Sequence, residues 1–465
     1  MQKDNEAVNE AVNEAVNEAV NEAFNETVNE AVNEAVWEVI VIGAGIAGLT
    51  ASIYLARAGL NVLLLEKSHP GGRAASTEME GASVNLGAHA LNRSVLPILR
   101  EVGITPAGAP PKLPNALVFK EADGGHRALP LGQLLLGSFL KWHEKLELIR
   151  FYSRFRRADL ASLHTVSLQD YLAGQLASPR VRSIVLALVR LSTYSDAPEL
   201  LSAAAALGQL KQDKVLYLDG GWQSLVNGLA EQARQAGVTI RTGSPVREIT
   251  GSAPVMTVTL KDGTPFTARR VLSTAGPLET LALLNPALSR EEAAVYQQLV
   301  PVRAACLDLV VSGMPFPKVN FVLGAEEPLY YANHSAAASL SRNPAHQVIH
   351  VMKYLPAAGD TDPKQDEAEL KGFLELIQPG WSRQVIRQRF LPRMLVSHSL
   401  VTASAGGLAG RPGPAVPGRP GLYAAGDWVG AEGMLANAAL ASAKEAAGSI
   451  IAGIEQLEGR NTRGA

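Results

Sequence analysis

The chain has 465 residues, 47% of them apolar and 18% charged, which is enough for two packed domains and excludes a disordered or collagen-like chain. Its one cysteine, Cys306, excludes a disulfide framework and a cysteine-rich metal site and fits a reducing cytoplasm. Net charge is −2, but Lys3 against Asp4 and eight glutamates gives residues 1–36 a charge of −8 and leaves +6 on the rest, far from the basic stripe that a nucleic-acid partner requires.

Residues 5–36 are eight tetrads of the Asn-Glu-Ala-Val type, varied at Phe24 and Thr27. A period of four drifts about 40° per repeat on a helix, so the valines make no straight seam. Glutamates at i, i+4 also repel each other. The segment is therefore read as a disordered tail or a frayed, solvated helix. It lacks the basic and apolar regions of a signal peptide. The apolar stretch from Val39 to Leu65 is not read as a membrane span, because Gly43, Gly45, Gly48, Arg57, Gly59 and Asn61 divide it.

"VIVIGAGIAGLT" then opens the folded part. Val39–Ile42 reads as a buried strand, Ala47–Ala58 as a helix with Leu49, Ile53 and Ala56 on one face, and Asn61–Glu66 as the next strand after a stop at Gly59. Residues 100–215 read as mainly helical. A helix follows "LDGG", then strands near Val238 and Val246, a hairpin turning at Asp262-Gly263, and a further strand in "RVLSTAGP". Residues 290–400 mix strands and helices, 412–420 form a proline- and glycine-rich loop, and a strand, a loop and a last helix close the chain. The expected fold class is α/β. A discontinuous Rossmann-like domain comprises 37–100, 215–289 and 406–455. A mixed α+β substrate domain is inserted as 101–214 and 290–405, and a short tail covers 456–465.

The three glycines have separable tasks. Gly43 permits the tight turn off the strand, Gly45 allows backbone to approach a pyrophosphate, and Gly48 allows the helix to pack on the strand. The free N–H groups at the helix start face the phosphates. Glu66, at the end of the second strand, suits ribose hydroxyls and repels a 2′-phosphate, which argues for FAD or NAD and against NADP.

Two further motifs follow the fingerprint Gly43–Glu66: Gly71-Gly72-Arg73 in "EKSHPGGRAAS", and Gly426-Asp427 in "GLYAAGDW" with "GMLANAALASAKEAA" behind it. In this order they resemble the flavoprotein superfamily of phytoene desaturases, protoporphyrinogen oxidases and amine oxidases, over about residues 38–455. The resemblance implies FAD in a two-domain fold like those of p-hydroxybenzoate hydroxylase and the amine oxidases. It implies that Gly43, Gly45, Ile46, Ala47 and Gly48 meet the pyrophosphate, with Glu66 and Lys67 at the adenosine ribose and Val246 at the adenine. Gly71, Gly72 and Arg73 would border the flavin. Gly426 and Asp427 would hold the ribityl or phosphate end, and Met434, Leu435 and Ala436 would aim a helix N-terminus at the flavin C2 carbonyl.

There is no second GxGxxG, so a separate NAD(P) domain is not expected, and electrons would leave to oxygen, a quinone or another acceptor. Asn85 stands where the family often has an acid. His89 reads either as an acid–base group on the flavin face or as a hydrogen-bonded structural histidine. The strand matching the amine oxidase lysine has Ala304, Ala305 and Cys306, with Lys353 the nearest substitute. "PLYYANHSAAASLS" resembles the desaturase segment that lines the substrate cavity, which implies Tyr330, Tyr331 and His334 as its wall and makes Tyr331 and His334 catalytic candidates beside His89; the other reading is tyrosines on an edge strand with their hydroxyls in water. Phe139, Trp142, Leu146 and Ile149 share a helix face, either a peripheral membrane contact or an ordinary domain helix. No metal site is expected. The function read from this pattern is a desaturase or dehydrogenase moving hydride from a hydrophobic, isoprenoid-like substrate to flavin N5. The alternatives are oxidation of an amine or porphyrinogen and, in a different class, an isomerase or binding protein without net redox turnover. The expected setting is cytoplasmic or peripheral to a membrane.

Overall fold

A computed structural model describes residues 36–461 apart from 88, 113–114, 122–123 and 213. The acidic repeat, up to residue 35, lies outside the described residues.

β1 (Val36–Ile42) runs parallel to β2 (Val62–Leu65) on one side and to Pro265–Ser273 on the other. Thr239–Arg241 extends the sheet beyond β2, and Leu422–Ala424 pairs with the end of Pro265–Ser273. All five finish level: Ile42 stands opposite Leu65 and Ser273, Leu65 opposite Arg241, and Ser273 opposite Ala424. A parallel sheet whose strands end together leaves a crevice at its carboxyl edge.

The continuous apolar run in β1 arises because the strand is buried on both faces. Val39 and Val41 pack beneath α1 (Ile46–Arg57), the helix Trp222–Gln235 and the last helix, Ala436–Asn461. Ile40 and Ile42 face the antiparallel strands Val246–Ser252 and Val255–Leu260, with Tyr296 and Trp428. The expected hairpin at Asp262-Gly263 forms, with Gly263 in the left-handed region at φ +94°. Its second arm continues unbroken to Ser273, so "RVLS" belongs to that same strand.

A second seven-stranded sheet has the order Val385–Ser397, Val302–Val311, Gln347–Tyr354, Leu329–Asn333, Phe321–Gly324, Asn115–Lys120, His126–Pro130. It is antiparallel except where Phe321–Gly324 meets Asn115–Lys120. The last two strands lie in the stretch read as mainly helical. Asn115–Lys120 is buried on both faces, with Val118 in one core and Leu117 and Phe119 in the other, so it shows an apolar run without the two-residue period and pairs with a strand far away in sequence. One face of this sheet carries the helix Pro363–Ile377 through Leu370, Phe373 and Leu374. The other packs Ala304, Tyr330 and Tyr354 against Ile184 and Ala187 of the helix Pro179–Thr193.

Candidate functional site

A crevice of about 1420 Å³ opens at the carboxyl edge of the first sheet. At its floor the chain turns through Gly43, at φ +100°, with Thr274 Oγ1 donating to the carbonyls of Ile42 (2.8 Å) and Gly43 (3.0 Å). A Cβ on Gly43 would stand 2.7 Å from that hydroxyl, and one on Gly48 would overlap the Gly43 carbonyl oxygen. Gly71 N–H donates to the Ala44 carbonyl at 2.8 Å, so the two glycine turns lie side by side. α1 starts at Gly45 without a side-chain cap and without an acid in its first turn. Its N–H groups are thus left for an anion.

Glu66 ends β2 and lines the crevice. Its carboxylate accepts from the backbone N–H of Ala44 (2.8 Å) and of Ser68 (2.9 Å). It thereby ties the glycine turn to the strand whose end it occupies.

Arg73 and Asp427 face each other, with Nη1–Oδ2 at 2.8 Å and Nη2–Oδ1 at 2.7 Å. Arg73 Nη1 also donates to the Val396 carbonyl, and the His398 N–H donates to Asp427. Burial alone would raise the Asp427 carboxyl, but the guanidinium outweighs it and holds the group down at about 2. Arg411 pins the following loop by donating to the carbonyls of Asp427, Glu432 and Gly433.

The crevice collects Gly43, Gly45, Ile46, Ala47, Glu66, Lys67, Gly71, Gly72, Arg73, Val246, Gly426, Asp427, Leu435 and Ala436 from the sequence-derived cofactor set. Gly48 lies beneath it, at the contact of α1 with the turn. Met434 is turned into a small core with Ala205 and Val401.

The three catalytic candidates separate. His89 lines the crevice, and both its ring nitrogens are buried without a hydrogen-bond partner. Burial holds its pKa well below the ordinary histidine range, so it is neutral. His334 lies behind it, ring centres 5.2 Å apart, with Nε2 3.3 Å from the Tyr330 hydroxyl. Tyr331 is not in this wall. Its hydroxyl donates to the Val319 carbonyl and meets Gln378 beneath the helix Pro363–Ile377. Adjacent strand residues point to opposite faces, so Tyr330 faces the histidines and Tyr331 faces away. Lys353 is also turned away, paired with Asp366 (2.8 Å) and Glu369.

A row missed in the sequence crosses the second sheet beside His89. Asp308 stands opposite His350 on one neighbouring strand and Arg389 on the other. Its Oδ1 lies 2.7 Å from His350 Nδ1, and its Oδ2 accepts from Arg389 Nε at 2.9 Å. Desolvation would raise this carboxyl, but His350 and Arg389 hold it down at about 2. The signal was present: "CLDLVV" and "VIHVM" each carry one polar residue in an apolar strand, and such a residue needs a buried partner.

A parallel sheet with a glycine cradle at its carboxyl edge, an acid at the end of its second strand and a closing segment from the far end of the chain defines a flavin-type dinucleotide-binding fold. The sequence profile of the family "Flavin containing amine oxidoreductase" matches residues 46–451, and the chain belongs to that family. Its cofactor is FAD, and it is an FAD-dependent oxidoreductase.

Among solved structures, an oxidoreductase from Methanosarcina mazei superposes with a TM-score of 0.71 at 19% identity, covering 88% of this chain and 99% of the other. Putrescine oxidase with bound putrescine gives 0.70 at 18% identity, over 90% and 99%. Likeness at this identity speaks for the fold. The 4,4′-diaponeurosporene oxygenase of Staphylococcus aureus is 26% identical over 258 residues, 46% of this chain and 50% of that protein. Thioredoxin reductase of Bacillus subtilis is 52% identical over 42 residues, 9% of this chain and 13% of that protein. The chain thus matches at most about half the length of these curated relatives.

Proposed function

We propose that this enzyme is a desaturase or dehydrogenase that oxidises a hydrophobic, isoprenoid-like carbon skeleton. The observation that carries the reading is what the second sheet and its helices give to the crevice: Tyr194, Leu395, Val396 and His398, with no acid and no lysine. The acids that line it are Glu66, Glu231, Glu279 and Asp427, and the described lysines are Lys67 and Lys261, all from the dinucleotide-binding side. A cationic amine entering a dry site needs an anion or an aromatic cage to replace its water. A carbon chain needs only apolar wall.

The glycine turns, Glu66 and Val246 would hold the nucleotide half of FAD, and Arg73 with Asp427 would close over its other end. Bound FAD supplies a two-electron acceptor, with oxygen or a quinone as the onward acceptor. The carotenoid-related relative supports the substrate class. The reading is tested by anaerobic mixing of the yellow holoenzyme with isoprenoid polyenes and, separately, with mono- and diamines. Bleaching by a polyene with a desaturated product is expected. Bleaching by amines alone overturns it, as does isomerised product with no electron uptake.

A further inference from the structure

The row Arg389–Asp308–His350 ends against His89, with the two imidazole centres 4.2 Å apart. Three nitrogens at this meeting point are buried and unpartnered: Nδ1 and Nε2 of His89, and Nε2 of His350. Native interiors leave few such groups, and each asks for an occupant. Cys306 lies two residues before Asp308, on the same strand face, with Sγ 3.0 Å from Asp308 Oδ1. One donor atom from each of His89, Cys306, Asp308 and His350 lies within 4.8 Å of all the others, and all four residues are buried.

We propose that His89, Cys306 and His350 ligate a divalent ion of the Zn²⁺ class, with Asp308 as the carboxylate that orients His350. Two imidazoles and a thiolate form a borderline-soft set, suited to Zn²⁺ or Co²⁺ and unsuited to Mg²⁺ or Ca²⁺. Asp308 takes the Nδ1–H of His350 at 2.7 Å, which fixes the tautomer with a lone pair on Nε2. This is the carboxylate–histidine arrangement found behind metal ligands. Arg389 neutralises Asp308 from the opposite side, so the carboxylate need not bind the ion to be charge-balanced. Three protein ligands leave a fourth position for water or another small ligand.

Ligand atoms around tetrahedral zinc lie about 3.3–3.8 Å apart, so the set closes with side-chain shifts of about 1 Å. His89 lines the crevice and gives the ion a way in. The Cys306 thiol, which burial pushes well above its ordinary range, loses its proton to solvent as the metal–sulfur bond forms. His334, the third imidazole nearby, already has the Tyr330 hydroxyl as a partner and stays outside the set. The assignment does not depend on the substrate class.

The test adds Co²⁺ to metal-stripped, FAD-loaded protein under reducing conditions. One equivalent is expected to bind. It should give tetrahedral d–d bands in the red, clear of oxidised flavin, and Zn²⁺ should abolish them. H89Q and C306S should each weaken binding at least about 100-fold, and D308N about 10- to 100-fold. H89Q removes no hydrogen bond, so a retained circular-dichroism spectrum separates lost ligation from lost fold. Absence of stoichiometric binding at micromolar protein overturns the site; water or substrate alone then occupies those nitrogens. Binding unchanged in H89Q and C306S also overturns it, since the ion then sits elsewhere.

Discussion

Arg73 and Asp427 make a two-point ion pair across 354 positions of chain, at 2.8 and 2.7 Å. It joins the segment after β2 to the loop before the last helix. Asp427 is 2% exposed, whereas the Arg73 side chain is about a third exposed. Removing the acid strands a charge that is only partly hydrated. D427A is therefore expected to lose about 3 kcal/mol, at the low end for a buried pair, and to release FAD. Urea unfolding and flavin fluorescence in the filtrate read the two effects separately.

The same pair and the Asp308 row set an acid limit. Both carboxyls sit at about 2 in the folded protein, below the ~3.9 of an unfolded aspartate. A depressed folded value means that the unfolded chain takes up the proton first. The stabilisation is then complete above about pH 4 and is lost as pH falls towards 2, about 2–3 kcal/mol for each group. Urea midpoints across that window should fall steeply in the wild type and less steeply in D427N.

Gly48 tests the cradle without touching a charge. A methyl there would overlap the Gly43 carbonyl oxygen, and backbone on a strand end cannot easily yield. G48A is expected to destabilise by about 1–3 kcal/mol and to weaken FAD binding. Gly448, in the last helix with open space around its Cβ position, is the control. G448A should be neutral or stabilise by up to about 1 kcal/mol. Equal behaviour of the two variants in an FAD titration would refute the packing role.

The cradle was legible because its information is local. Glycine spacing, the strand before it and the acid after it all lie within Val39–Glu66, and β1, α1 and β2 follow the reading to within about a residue at most ends. Arg73 and Asp427 were each expected at the flavin from their motifs, but nothing local says that they bind each other. Asp308 and His350 were legible as lone polar residues in apolar strands, but their pairing was not, for the same reason. Its register exists only because Val302–Val311 threads between Gln347–Tyr354 and Val385–Ser397. Tyr330 and Tyr331 show the limit at single-residue scale: alternation requires that they part, but only the packed sheet says which one faces the histidines.

Lys353 separates the desaturase reading from an amine oxidase one. Its ammonium lies between Asp366 and Glu369, on the sheet face away from the crevice. K353M should leave the rate of flavin reduction unchanged. It should cost about 2–4 kcal/mol, because Asp366 stays buried with the Thr361 hydroxyl as its remaining side-chain partner. A collapse of flavin reduction in a folded K353M protein would restore the lysine to the chemistry.

The two sequence readings of this region, a peripheral membrane contact or an ordinary domain helix, are separated at the surface around the helix Trp142–Phe155. Leu136 is 90% exposed and Trp142 73%, with Ile149 and Tyr152 also outside the core, while Phe139 and Leu146 are partly covered. Arg150, Arg154 and Arg157 are exposed nearby. No described helix is long and apolar enough to cross a bilayer. Apolar side chains beside arginines suit an anionic interface, where the former insert and the latter meet headgroups. Co-sedimentation with phosphatidylglycerol vesicles is expected for the wild type and weaker on phosphatidylcholine. The double variant L136D/W142A removes two of the most exposed apolar anchors and should lower vesicle binding at least about tenfold. Its unfolding midpoint should stay unchanged, since neither side chain is part of a core. Equal binding by wild type and double variant would make this an ordinary solvated face.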